Sequence, residues 1–162
     1  MTADGIRDML DRQQTIVPVG MQEAPLDAWL DLVMTHVIEP QLRRGLIFVR
    51  DYPASQAALA RLRSANPPVA ARFEVYLDGI EIANGFHELA DADEQRQRFA
   101  DENDRRKRTG LEPVPVDGRL LAALQSGLPN CAGVALGLDR LLMVASSAGS
   151  LDAVLVFPFE IA

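Results

Sequence analysis

The chain has 162 residues, nearly half of them apolar and a quarter charged, which allows one domain with a sizeable core and excludes a low-complexity or fibrous chain. Sixteen basic against 23 acidic residues leave a net charge of −7, which argues against a general nucleic-acid surface. The single Cys131 excludes an internal disulfide and fits a reducing compartment. With no bilayer-length apolar run and no signal-peptide core, the expected location is cytoplasmic, with no membrane partner.

Residues 2–13 read as a short helix with Ile6, Met9 and Leu10 on one face. Pro18 and Gly20 interrupt the stretch from Thr15 to Ala24. A second helix follows Pro25, with Leu26, Trp29, Leu30, Val33 and Val37 at helical spacing, and Pro40 stops it. Leu46 to Val49 is a short run of strand formers, continuing to about residue 51. Pro53 to Gln56 reads as a loop and Ala57 to Leu62 as a short helix. Ser55 and Gln56 suit either a polar ligand or a turn and cap.

Phe73 to Leu77 alternates cleanly, and the Asp78-Gly79 turn pairs it with Glu81 to Leu89 as a hairpin. A long polar helix runs from Asp91 to Thr109 and closes at Gly110. Its Arg105-Arg106-Lys107-Arg108 end reads as a solvated helix terminus. Asp117 caps a further helix, which Gly127 and Pro129 end. Small and apolar residues alternate from Gly133 to Leu138, then Asp139-Arg140 opens a helix, and Val154 to Phe157 reads as a last strand. The expected fold is α+β: a mainly antiparallel sheet over about 46–51, 72–78, 80–89, 132–138 and 153–157, flanked by helices in one domain. Open sheet edges would favour pairing between copies.

Two stretches carry chemistry. In Gly79 to Leu89, Glu81 and Glu88 interrupt an apolar run, and a carboxylate leaves water only for a partner. They stand seven positions apart, so a regular strand would turn them to opposite faces; a bulge at Asn84-Gly85 would bring them to one. Two carboxylates on one face suit Mg²⁺ held together with substrate phosphates. The alternative is a hairpin turn at Asn84-Gly85 with both carboxylates in solvent. In the second stretch, Gly and Ala at alternate positions let a flat ligand approach the backbone. Arg140 near a helix start opposes the helix dipole, which suits an anion or a stacked ring, or else an internal salt bridge.

From Phe48 to Phe157 the chain resembles the C-terminal half of a class II aminoacyl-tRNA synthetase catalytic domain of the lysyl type. The resemblance rests on Arg72 to Val75 through Glu88-Leu89, on the polar helix with Gln95 and Phe99, and on Gly127 to Pro129 followed by Gly133 to Arg140. Within that class it is most similar to the elongation factor P–(R)-β-lysine ligases, which lack a tRNA-binding domain; Ala83, His87 and Ala135 separate it from lysyl-tRNA synthetases. The resemblance implies activation of a lysine-type amino acid by ATP and Mg²⁺, and its transfer to elongation factor P. It implies that Glu81, Ile82, Gly137 and Arg140 contact ATP, that Asn84, Glu88 and Ala135 line the amino-acid site, and that Glu81 and Glu88 hold the metal. Residues 1–45 resemble the helical segment that precedes the last strands of that domain. The family's first and second motifs are not in this sequence, so a homo-oligomer, an absent N-terminal half, a non-catalytic remnant and a lysyl-tRNA synthetase fragment all stay open.

Overall fold

The computed structural model describes residues 2–158. Their sheet has the strands β1 (Leu46–Pro53), β2 (Leu62–Arg63), β3 (Val69–Leu77), β4 (Ile80–His87) and β5 (Ala132–Leu136). The strand order is β1-β3-β4-β5, with β2 paired to β3 in antiparallel register, Leu62 opposite Ala70. With five α-helices around a mainly antiparallel sheet, the fold is α+β, as the sequence predicts. Among the described residues no helix is long and apolar enough to cross a membrane.

The chain divides into two compact units. The first comprises residues 1–50, 73–84 and 135–162. Its helices α1 (Ala3–Arg12) and α2 (Leu26–Val33) bury Ile6, Leu10 and Trp29 against one another. Thr2 caps α1 through its side-chain oxygen, which accepts from the Gly5 N–H. Beyond α2 the chain widens through one π turn, then tightens through one 3₁₀ turn to Gln41, and Pro40 contributes no N–H to continue it. A second cluster of Val75, Ile82 and Ala83 packs Leu141 of α5 (Leu138–Ala145) against the strands.

The turn from β3 to β4 is the one its sequence requires. Asp78 and Gly79 both take positive φ, 51° and 86°, and Asp-Gly accepts that pair of conformations at little cost. Asp78 then holds the start of β1: its Oδ1 accepts from the Gly45 N–H at 2.7 Å while its own N–H donates to the Gly45 carbonyl at 3.0 Å.

The second unit comprises residues 51–72 and 85–134. Its long helix α3 (Ala92–Arg108) starts where Asp91 Oδ1 accepts from the N–H groups of Asp93 and Glu94, and ends before Gly110, whose φ is 76°. Asp117 caps α4 (Gly118–Gln125) in the same way, through Arg119 and Leu120. At the basic end of α3 the i,i+3 pairs Arg105 with Glu102 and Lys107 with Asp104 are exposed, which fits the solvated helix terminus expected.

Two expectations fail. Residues 57–62 are not a helix: Ala60 bridges Glu88, the Arg61 N–H donates to the His87 carbonyl, and Leu62 enters β2, so pairing with the sheet overrides the local preference. A short 3₁₀ turn forms instead at Ala54–Gln56. Nor is 153–157 a strand. The chain makes a 3₁₀ turn at Leu151–Ala153, and Val156 and Phe157 stand 80% and 75% exposed, with no ladder partner among the described residues.

Candidate functional site

β4 runs unbroken from Ile80 to His87, so Asn84-Gly85 is not a hairpin turn. Glu81 lies on this strand with its carboxylate partly exposed. Next to it, β5 ends at Leu136 and the chain enters α5 through Gly137, whose N–H donates to the Ile82 carbonyl at 2.9 Å. That bond sets the start of α5 against β4 and puts Arg140, in the first helical turn, over Glu81. Arg140 Nη1 donates to the Glu81 carbonyl at 2.9 Å and to its Oε2 at 3.3 Å. The internal ion pair is therefore formed, but not buried: the two side chains remain 47% and 34% exposed. An exposed pair of this kind is exchangeable, since water screens it and little stability depends on it.

Glu81, Ile82, Asn84, Ala135, Gly137 and Arg140 line one cavity of about 370 Å³. Six of the seven residues named from the sequence thus converge. The same cavity is lined by Leu151 and Leu155, which sequence reasoning missed; Leu155 read as part of a strand over 153–157. In the structure Leu155 folds back to donate its N–H to the Leu151 carbonyl, and apolar composition alone does not distinguish that turn from a strand. A Cβ built on Gly137 meets the Arg140 side chain first, at 3.6–3.7 Å, so a side chain there would occupy the surface along the arginine stem.

Glu88, the seventh residue, belongs to the second unit. Its N–H donates to the Cys131 carbonyl at 3.0 Å, and its carboxylate lies directly over Gly133, where Oε1 takes the space a Cβ would need. His87 Nε2 meets Asn130 Oδ1 at 2.5 Å, a second link between the end of β4 and the approach to β5. Glycine at 133 is therefore the space kept for the Glu88 carboxylate, where the alternation of small residues predicts the approach of a flat ligand. Nearby in this unit, the Arg72 guanidinium lies over the Tyr52 ring at 4.3 Å.

The donor set fits a nucleotide with a hard divalent ion. Carboxylate and amide oxygens are hard donors, and Mg²⁺ takes one or two carboxylates and completes its shell with phosphate oxygens and water. Among the described residues no three or more His, Cys, Asp or Glu side chains converge, so there is no all-protein cage of those residues. Arg140 offers a cation and a planar surface of the kind that pairs with phosphate or stacks on a ring.

Residues 19–160 match the family described as tRNA synthetases class II (D, K and N), and the chain belongs to that family. Among its relatives, the elongation factor P–(R)-β-lysine ligase of Vibrio vulnificus is 50% identical over 145 residues, covering 89% of this chain and 45% of the relative. The ligase of the same name from Pectobacterium atrosepticum is 49% identical over 143 residues, covering 88% and 44%, and that of Vibrio cholerae 48% over 160 residues, covering 94% and 49%. The chain spans about half the length of the curated relatives it matches.

Proposed function

We propose that this chain carries the nucleotide and part of the amino-acid site of a ligase that activates (R)-β-lysine with ATP and passes it to a lysine of elongation factor P. The observation that carries the reading is the convergence of Glu81, Ile82, Asn84, Ala135, Gly137 and Arg140 on one cavity, in a chain whose relatives bear that ligase name. Arg140 would leave Glu81 to meet the nucleotide, stacking on its ring or pairing with its phosphates. Glu81 would hold Mg²⁺, which when bound offsets the negative charge of the phosphates during attack. Asn84 would orient phosphate or amino acid, and Glu88, beside Gly133, would meet the metal or the substrate amine. Reaction then depends on holding the amino-acid carboxylate in line with the α-phosphate rather than on a covalent enzyme intermediate.

The test is ATP–pyrophosphate exchange with (R)-β-lysine, using a complete enzyme that contains these residues. Glu81→Gln is expected to lower exchange about a hundredfold or more while the melting temperature stays within about a degree, because removing one carboxylate charge at this exposed pair costs little stability. Exchange at the wild-type rate would refute the assignment of Glu81.

A second reading, a subunit that works only with a partner, is favoured by the exposure of Leu138 and Leu142 on α5.

A further inference from the structure

Glu88 is a site residue whose direction β4 does not set, since that strand ends one residue earlier, at His87. A side chain leaves the backbone in a direction fixed by the peptide planes on either side of its α-carbon. The planes are rigid, and only φ and ψ turn between them. Around Glu88 both planes are held at both ends by residues of the second unit. In the plane before it, the His87 carbonyl accepts from the Arg61 N–H at 2.8 Å, and the Glu88 N–H donates to the Cys131 carbonyl at 3.0 Å. In the plane after it, the Glu88 carbonyl accepts from Arg61 Nε at 2.7 Å, and the Leu89 N–H donates to the Leu59 carbonyl at 3.0 Å.

Three of these four bonds join main chain to main chain, so they do not depend on residue type. The fourth comes from the half-buried side chain of Arg61, the one partner that takes part in both planes. We propose, resting on the proposed role of Glu88, that Arg61 is a positioning residue. By holding both planes it aims the Glu88 carboxylate over Gly133, into the space that a Cβ there would need. What matters is the N–H donor at the ε position, because the acceptor is a carbonyl and not the carboxylate. Gln places its amide nitrogen as many bonds from the α-carbon as Arg places Nε. Met and Lys place a carbon there.

Two measurements test the assignment. On the whole chain, Arg61→Met is expected to speed amide hydrogen exchange at Glu88 and Leu89 about tenfold, through loss of a bond from a charged donor, while the amides of α4 keep their rates. Arg61→Gln should bring both rates back to within about threefold of wild type. In a complete enzyme that contains these residues, Arg61→Met is expected to lower kcat/KM for (R)-β-lysine in pyrophosphate exchange about tenfold, the cost of a displaced site group, and Arg61→Gln to restore most of it. The loss must vanish in the background of Glu88→Ala, where nothing is left to aim. If Arg61→Met does not fold, Arg61→Lys, which keeps the stem and the charge, must show the effects expected of Met. Unchanged hydrogen exchange at Glu88 and Leu89, or an equal loss of activity in both backgrounds, overturns the proposal. Wild-type kcat/KM in Glu88→Ala, with faster hydrogen exchange in Arg61→Met, refutes Glu88 as a site residue while upholding Arg61 as the group that holds its backbone.

Discussion

At the scale of the residue, Glu88 and Gly133 define each other. Adding a methyl group to Gly133 places it on the Glu88 carboxylate, which sits at the free end of a flexible side chain and can swing away. Gly133→Ala is therefore expected to fold with a melting temperature near that of the wild type, while a complete enzyme carrying it loses most amino-acid activation. A large drop in melting temperature with activity retained would show that the glycine serves packing instead. Ala135 gives the opposite case. It lines the cavity from β5, and one methyl group discriminates between substrates by about 1–3 kcal/mol. Ala135→Gly in the complete enzyme should raise kcat/KM for α-lysine relative to β-lysine; an unchanged ratio would remove the residue from the amino-acid pocket. Both sites were legible as residue types out of place, a carboxylate in an apolar strand and small residues at alternate positions. Their neighbours were not: nothing local in the sequence connects Glu88 to Gly133, 45 positions on, or Arg140 to the carbonyl of Glu81, 59 positions back.

Among the elements, helix ends were legible because they are set by chemistry within four residues. Asp91 and Asp117 each present one carboxylate oxygen to two N–H groups, and the starts of α3 and α4 predicted from the sequence fall on those caps. Asp91→Ala should cost about 1 kcal/mol, measurable as a lower urea midpoint with an unchanged slope. A change of a few tenths would mean that contacts of α3 elsewhere, such as Arg98 on the 58–60 carbonyls, hold the helix without its cap. Short apolar runs were the illegible class. Ala57 to Leu62 and Val154 to Phe157 carry too few residues for periodicity to separate strand, helix and turn, and distant partners decide. His87 and Glu88, close to Ala60 and Arg61 through backbone pairing, decided the first.

For the molecule as a whole, the matter is what this length of chain does by itself. In the Glu81–Arg140 cavity of the first unit Arg140 is the sole cationic side chain among the described lining residues, and it is engaged with Glu81. The family resemblance implies a further arginine, from its second motif, beside the α-phosphate. Lacking one preorganised donor costs ~3–4 kcal/mol in the transition state, at least a hundredfold in rate. The purified chain, given ATP, Mg²⁺ and (R)-β-lysine, should show no pyrophosphate exchange above background. Sedimentation of the same sample should show self-association, driven by the exposed leucines of β5 and α5. Exchange by a monomer would overturn the partner-dependent reading and the requirement for a second arginine.

The chain passes between its two units four times, at residues 50–51, 72–73, 84–85 and 134–135. Neither unit corresponds to a continuous stretch of gene. A recombination event with one breakpoint cannot exchange the Glu81–Arg140 cavity for a relative's without also importing residues of the Glu88 unit or leaving a cavity wall behind. The Glu81–Arg140 cavity and the Glu88 unit are thus inherited as a block, and a change in the cavity's lining arises by single substitutions rather than by shuffling.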